Sequence, residues 1–266
     1  LAALIPLSLF VYFSTFIGEV SRGGIIRQSF EWVPSFGVNL GFTLDGLSLL
    51  FSLMITGIGF LVFVYTASYL KGHHYLDRFY GYLSMFMAAM LGLVLSDNMI
   101  SLFIFWELTS ISSFFLIGFN NTSEASRKSA ITALAVTGLG GMSLLAGALI
   151  LGSVGGTYTI SELLNSNQVL ADSPYYILIV ILMFGAAFTK SAQFPFHFWL
   201  PGAMKAPTPV STYLHSATMV KAGIYLLARF TPVLGNHEWW NSTLIIVGAI
   251  TMTYAAIHAL FRLDLK

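Results

Sequence analysis

The stretch that decides the fold runs from Phe184 to Lys221 and reads FGAAFTKSAQFPFHFWLPGAMKAPTPVSTYLHSATMVK. It lies within two long apolar segments, yet it contains cationic or titratable side chains and prolines: Lys190, His197, Lys205, His215, Lys221, Pro195, Pro201, Pro207 and Pro209. A lysine at membrane depth costs about 2.5–3.5 kcal/mol and usually faces a bundle interior or a watery cavity. Interrupted backbone at that depth survives only where protein or cavity water satisfies its polar groups. The combination predicts a transport site beside a broken helix, with snorkelling of the lysines to an interface as the alternative.

The composition of the chain is that of an integral membrane protein. Of its 266 residues 56% are hydrophobic and 9% are charged, whereas ordinary soluble proteins carry about 25% charged residues. The formal net charge of +1 gives no reason to expect a nucleic-acid partner. Cysteine is absent, which excludes disulfides and thiolate chemistry. The sequence also lacks nucleotide-binding and zinc-protease motifs, so we expect no cofactor and no metal site.

Eight apolar spans near the length of about 20 residues that a bilayer requires predict an all-α polytopic bundle. The spans cover about 1–17, 46–70, 79–96, 98–119, 129–152, 175–200, 207–230 and 242–262. Proline at position 195 predicts that the sixth span is discontinuous. Outside the spans, GVNLGFTLD (37–45) predicts a short hairpin and SELLNS (161–166) a helical turn.

The distribution of Lys and Arg among the loops predicts the orientation in the membrane. The loops after the even-numbered spans hold Lys71, Arg78, Arg127, Lys128, Lys205, Arg262 and Lys266. The loops after the odd-numbered spans hold only Arg22 and Arg27. Seven cations against two place the first set of loops in the cytoplasm. Because the chain starts with Leu1 and stops just after a span, we expect it to be a fragment of a longer chain.

Glu107 is the acidic residue that the spans place near the bilayer centre. It lies nine residues into the fourth span, roughly 14 Å along a helix that rises 1.5 Å per residue. A carboxylate there is either a proton carrier that modulates a nearby lysine or half of a structural ion pair between helices. We favour the first interpretation, because the available partners at that depth are the lysines and histidines named above.

Lys190, His215 and Lys221 are the candidates for a proton relay. Desolvation makes it easier for a lysine to release its proton, and a nearby carboxylate opposes that release. His215 precedes Lys221 by about 9 Å of axial rise, and histidine titrates in a range suited to a relay between such groups. His197 and Lys205 are possible relay groups on the cytoplasmic side. Each histidine has a structural role as its alternative.

The motifs KSAQFPFHFWLPGAMKAPTPVSTYLHSATMVKAGIYLLARF, FWELTS and LDGLSLLFS resemble the antiporter-like subunits shared by respiratory complex I and Mrp-type multisubunit cation/proton antiporters. The resemblance covers essentially the whole chain and is greatest to the large A subunit of Mrp antiporters. It implies that residues 1–266 form the N-terminal proton-channel half of a roughly fourteen-helix subunit whose second half and C-terminal region are missing here. It also implies that Glu107, Lys190, His215 and Lys221 translocate protons.

The resulting hypothesis is proton translocation by one subunit of a sodium/proton antiporter, a secondary transporter and not an enzyme. The implied partners are other membrane subunits, protons, Na⁺ and the lipid bilayer, in the plasma membrane of a bacterium or archaeon. Two alternatives stay open. One is a pump subunit of complex I or of a membrane-bound hydrogenase, driven by electron transfer elsewhere. The other is a structural membrane subunit with vestigial charges.

Overall fold

The computed structural model describes residues 2–33, 38–164 and 167–262. The helices are α1 Leu4–Ser14, α2 Ile17–Val20, α3 Gly46–Tyr69, α4 Leu76–Leu95, α5 Met99–Ile117, α6 Glu124–Gly155, α7 Ile160–Leu163, α8 Asn167–Ala171, α9 Tyr176–Lys190, α10 Trp199–Ala203, α11 Thr208–Val210, α12 Met219–Leu234 and α13 Glu238–Leu260. The strands are β1 Ile26–Val33 and β2 Val38–Leu44. A 3₁₀ turn at Phe196–Phe198 precedes α10, and a π-helical segment at Ser211–Thr218 joins α11 to α12.

Eight helical segments follow the eight predicted spans, but not all of them are single helices. Among the described residues, five helices are long and apolar enough to cross a membrane, namely α3, α4, α5, α6 and α13. The first span is divided between α1 and α2, and the sixth between α9 and α10. The seventh is an unbroken helical run from Thr208 to Leu234 whose middle is π-helical. The predicted discontinuous helix is therefore confirmed, and a second irregular span accompanies it.

A hairpin lies at one end of the bundle, but its bounds differ from the prediction. Residues 38–44 of the predicted stretch form only the second strand, β2, and the first strand, β1, precedes that stretch. β1 and β2 pair antiparallel, with Ile26 opposite Leu44. The amide of Asp97, between α4 and α5, donates to the Gly41 carbonyl at 2.8 Å. The Asp97 carboxylate in turn accepts from the amide and hydroxyl of Ser161 at 2.9 and 2.8 Å. The hairpin and the loops after α4 and α6 therefore meet at one end, where α7 forms the predicted helical turn.

The basic loops meet at the opposite end. His73, after α3, packs its ring on Phe119, after α5, with 5.4 Å between the ring centroids. Lys128 and Lys205 line one cleft, which joins the start of α6 to the link after α10. The loops after the second, fourth and sixth spans, which the charge count grouped as cytoplasmic, thus share one face of the molecule. Lys266 from that count, and residues 165–166 of the predicted turn, lie outside the described residues.

Helix α6 packs against both α5 and α9. Its glycines permit this close approach. A Cβ added to Gly140 would overlap the Thr189 hydroxyl of α9, and one added to Gly141 would overlap the Glu107 carboxylate of α5. The same stretch of α6 therefore contacts both α5, which carries Glu107, and α9, which carries Lys190.

Candidate functional site

The interruption after α9 is produced by a helix-ending turn. Ala192 adopts a left-handed conformation with φ of 50°. The Gln193 amide donates to the Phe188 carbonyl at 2.9 Å, and the Ala192 amide donates to the Thr189 carbonyl at 3.4 Å. This is the Schellman pattern, which ordinarily has glycine at the left-handed position. Pro195 lies within the interruption, but the helix already ends at Lys190, five residues earlier.

Lys190 is therefore the last residue of a helix that stops inside the protein. Its side chain is completely buried. The Nζ atom donates to the Trp106 carbonyl at 3.1 Å and to the Ser110 hydroxyl at 2.8 Å. It also lies 5.1 Å from the centroid of the Trp106 ring, within reach of a cation–π interaction. All of these contacts come from α5, the helix that carries Glu107.

Glu107 lies half-buried on α5 between those contacts and α6. Its Oε1 atom is shielded from solvent and has no hydrogen-bond partner among the described residues. Buried polar groups are nearly always paired, so an unpaired carboxylate oxygen is a position where water or a proton can bind. The missing side chain of Gly141 provides the space for it.

Glu107 and Lys190 interact electrostatically without forming an ion pair. In the described part of the chain the one ion pair within 4.0 Å is between Arg229 and Asp45. The Lys190 amine is instead held by two neutral oxygens. The structural ion pair considered as the alternative role of Glu107 is therefore absent between these two residues.

Trp199 connects the helix end to His215. Its indole Nε1 donates to the Thr189 carbonyl at 2.9 Å, which satisfies a carbonyl in the last turn of α9. Its ring lies 5.9 Å from the His215 ring, centroid to centroid. His215 is buried within the π-helical segment. Single π-helical turns often occur at functional sites, because they turn one side chain out of the regular helical register.

Lys221 lies on α12 where that helix touches the end of α9. The Ser191 hydroxyl donates to the Val220 carbonyl at 2.6 Å. A Cβ on Gly223 would overlap Ser191 and the Ala187 carbonyl, so glycine is required for this approach. Lys221 is half-buried. The helices of Lys190 and Lys221 thus meet one residue from each lysine.

The structure places His197 and Lys205 away from these contacts. His197 lies in the 3₁₀ turn against α13, 4.5 Å from the Tyr254 ring between centroids. Lys205 is exposed in the cleft that it shares with Glu124 and Lys128.

Sequence reasoning missed a second buried cation, Arg229 on α12. Its guanidinium forms a bidentate pair with the Asp45 carboxylate, and Nε donates to the Tyr225 hydroxyl at 3.1 Å. Asp45 also caps α3 by accepting from the Ser48 amide at 2.9 Å. Asp45 stands directly before a long apolar span, which is the available signal of a helix cap. Trp199 and Ser110 were missed as well, although Ser110 follows Glu107 by one helical turn.

Comparisons with known proteins agree with this architecture. Residues 96–266 match the family described as "NADH:quinone oxidoreductase/Mrp antiporter, TM", and residues 31–80 match "NADH-Ubiquinone oxidoreductase (complex I), chain 5 N-terminus". The chain is 48% identical over 262 residues to the Na⁺/H⁺ antiporter subunit A1 of Staphylococcus aureus strains JH9 and Newman. That alignment covers 98% of this chain and 33% of the relative.

The fold is also found among solved structures. The structure of the Mrp complex from Dietzia sp. DQ12-45-1b matches with a TM-score of 0.85 and 38% sequence identity, over 99% of this chain and 31% of that chain. The chain thus spans about a third of the length of the relatives that it matches. Because the transmembrane-region match alone covers well over half of the residues, the chain belongs to the NADH:quinone oxidoreductase/Mrp antiporter family.

Proposed function

We propose that this chain is the proton-translocating N-terminal half of the large A-type subunit of a multisubunit Na⁺/H⁺ antiporter. The observation that carries the proposal is the environment of Lys190. A fully buried amine at the end of an interrupted helix binds two neutral acceptors and no carboxylate. Burying such a group has a large cost, and no ion pair offsets it. A functional role in proton transfer accounts for its presence there.

The surroundings of Lys190 accommodate both protonation states. A neutral amine has two N–H groups, which match the Trp106 carbonyl and the Ser110 hydroxyl. An ammonium has a third N–H and a positive charge, which the face of the Trp106 ring stabilises. A proton can therefore arrive or leave without the breaking of an ion pair.

Glu107 and the groups beyond the break complete the proposed path. The Glu107 carboxylate acts on Lys190 through its charge, and its unpaired Oε1 can hold a proton or a water. Across the break, Trp199 stands between the α9 terminus and His215, and the contact of Ser191 with α12 leads towards Lys221. We assign the order Glu107, Lys190, then His215 and Lys221.

The remaining parts of the proposal extend to the whole protein. The relatives named above are a subunit of a Na⁺/H⁺ antiporter and an Mrp complex. We therefore propose other membrane subunits as partners, protons and Na⁺ as the transported ions, and the bacterial plasma membrane as the location. No cofactor enters the proposed path, and the protein acts as a secondary transporter subunit rather than as an enzyme.

The charge of Glu107 provides the first test. In Glu107→Gln the shape is kept and the charge is removed, so sodium-dependent proton flux in inverted membrane vesicles should fall strongly while the assembled complex persists. Glu124→Gln, which alters an exposed carboxylate at the start of α6, is the control. Normal flux in Glu107→Gln, normalised to assembled protein, would contradict the proposal.

A redox-driven pump subunit is the second candidate, because the matching family includes NADH:quinone oxidoreductase. The proposed proton path is the same for an antiporter subunit and for a redox-driven pump subunit. Purification of the complex and identification of its other subunits separates the two. Neighbouring subunits that carry electron-transfer centres, with proton flux driven by an electron donor and not by a sodium gradient, would favour the pump.

A further inference from the structure

Three titratable rings form a row between the helix interruption and the end of α13. Tyr254 and His258 are one helical turn apart on α13, with 4.3 Å between their ring centroids. Tyr254 also contacts His197 of the 3₁₀ turn, at 4.5 Å between centroids. Both imidazoles contact the same phenol ring, so their centroids are no more than about 9 Å apart, a gap that one or two bridging waters can span.

The row of rings leads from the interior of the bundle to the end that holds the basic loops. α13 begins beside Tyr176, where the His237 ring packs 5.1 Å from the Tyr176 ring, at the end of the bundle that holds the hairpin. Its other end, with His258, therefore lies at the end that holds the basic loops. His258 is exposed and Tyr254 is half-buried. The exposure of the row decreases towards the interruption that contains Pro195.

The inner end of the row has an unpaired nitrogen. His197 Nδ1 is buried and has no hydrogen-bond partner in the described part of the chain. Buried nitrogens of this kind normally bind a partner or water. The interruption is fixed to α13 at the same depth, since the Phe194 amide donates to the Thr251 hydroxyl at 3.0 Å. The position of His197 relative to Tyr254 is thus set by a hydrogen bond between the two elements.

We propose that His258 and His197 carry protons between the basic-loop face and the interruption next to Lys190, with Tyr254 as the positioning residue that holds both imidazoles. This inference rests on the proposed function and adds to it two proton carriers and one positioning residue. The proton binds an imidazole nitrogen of one histidine, crosses through water and binds the other; no other bond is made or broken. The titratable groups of the row are His197, Tyr254 and His258, and the charged Arg262 follows His258 by one turn.

The experiment compares variants of His258 with a matched histidine. In His258→Gln the hydrogen-bonding capacity is kept but the titratable group is lost, so proton flux in vesicles should fall about a hundredfold, the lower end of the range that one positioned proton-transfer group contributes. His258→Glu restores a titratable group and should recover much of the flux with a pH profile shifted to lower pH. His74, an exposed histidine whose ring also packs on a tyrosine at 5.0 Å, is the control: His74→Gln should leave the flux unchanged.

Two substitutions of Tyr254 test whether its ring is what positions the two imidazoles, with flux normalised to the assembled complex. Tyr254→Phe keeps the ring and should retain the flux, whereas Tyr254→Ala should lower it to the level of His258→Gln. Wild-type flux in His258→Gln, or equal flux in His258→Gln and His258→Glu, would overturn the proposal that the row carries protons. Such results alongside a strong loss in Glu107→Gln would leave the proposed function intact, because Glu107 is not part of the row.

Discussion

Two buried cations in neighbouring helices are stabilised in opposite ways. Arg229 on α12 forms a bidentate pair with Asp45 and a hydrogen bond to Tyr225. Lys190 on α9 has neutral acceptors and an aromatic face. Arginine stays charged in proteins, whereas a lysine can lose its proton. Burial is common to both cations and their partners differ, so under the proposed function the partners, and not burial alone, distinguish the fixed Arg229 from the titrating Lys190.

The positions of the two cations fit the different roles proposed for them. The Arg229 pair ties α12 to the start of α3, and the Tyr225 hydroxyl continues the network by donating to the Val94 carbonyl of α4 at 2.7 Å. Three helices are thus held at the hairpin end of the bundle. Lys190 is the last residue of α9, and its amine is held by the Trp106 carbonyl and the Ser110 hydroxyl of α5.

The largest expected effect on stability comes from breaking the Arg229 pair. Arg229→Ala leaves the Asp45 carboxylate without its partner and should destabilise the protein by about 3 kcal/mol, the lower end of the range for such losses, because Asp45 is only partly buried. The midpoint of thermal unfolding in mild detergent measures this. Arg22→Ala, which removes an exposed arginine near the same end, should leave the midpoint unchanged. Equal midpoints for the two variants would show that the pair is not structural.

A smaller change in stability, with a large change in transport, is expected at Gly141. In Gly141→Ala the new methyl group occupies the space of the Glu107 carboxylate, which must rotate away. Because the displaced atoms are the end of a flexible side chain, the protein should lose no more than about 1–2 kcal/mol. Proton flux should fall as strongly as in Glu107→Gln.

The control for that substitution lies three residues earlier on the same helix. A Cβ on Gly138 meets open space, so Gly138→Ala should stabilise α6 slightly, by up to about 1 kcal/mol, and keep the flux. Flux that is equally reduced in both variants would show that α6 is sensitive to any added methyl group, and would remove the specific link to Glu107.

The Arg229 pair also predicts a pH dependence of stability. Burial raises the pKa of Asp45, but hydrogen bonds from Arg229 and Ser48 outweigh it and bring the pKa from 3.8 to about 2. A depressed carboxyl pKa contributes stability that is present above the unfolded value and is lost as the pH falls. The unfolding midpoint should therefore decrease as the pH falls from about 4 towards 2, and Asp45→Asn should lack this part of the decrease.

The smallest expected effect concerns the turn that ends α9. Ala192 is left-handed, so Ala192→Gly relieves strain while it loosens the unfolded chain, and the net change should stay within about 1 kcal/mol with transport retained. Ala192→Val places a β-branched residue in the same conformation and should lower both stability and flux. Unfolding midpoints and vesicle fluxes compare the two. A well-tolerated valine would show that the turn can change conformation.

Hydrophobic spans, loop charges and the Pro-rich stretch predicted much of this fold from the sequence. Spans can be predicted because a bilayer requires about 20 apolar residues. The hairpin was predicted only in part, because the stretch 37–45 includes its second strand, β2, and not its first, β1. The residue at which α9 ends was harder to predict from the sequence. Proline marks the interruption at Pro195, but the turn itself is made by Ala192, and alanine carries no sequence signal for a left-handed conformation.

The candidate site was predictable in its charged residues and not in their neutral partners. Lys190 and Glu107 are recognisable because charge is rare at membrane depth. Ser110, the Trp106 carbonyl and Trp199 are ordinary components of apolar helices, and only tertiary packing brings them to Lys190 and Thr189. The Asp45–Arg229 pair joins residues 184 positions apart, a contact that no local pattern indicates.

The central claim is that Lys190 changes its protonation state while Arg229 does not, and one measurement tests it directly. Sodium-dependent proton flux is recorded in inverted vesicles for Lys190→Ala and Lys190→Arg, normalised to assembled complex. Alanine binds no proton and arginine does not release one, so both variants should lose nearly all flux. Wild-type flux in Lys190→Arg would mean that position 190 requires only a fixed positive charge, and would contradict the account.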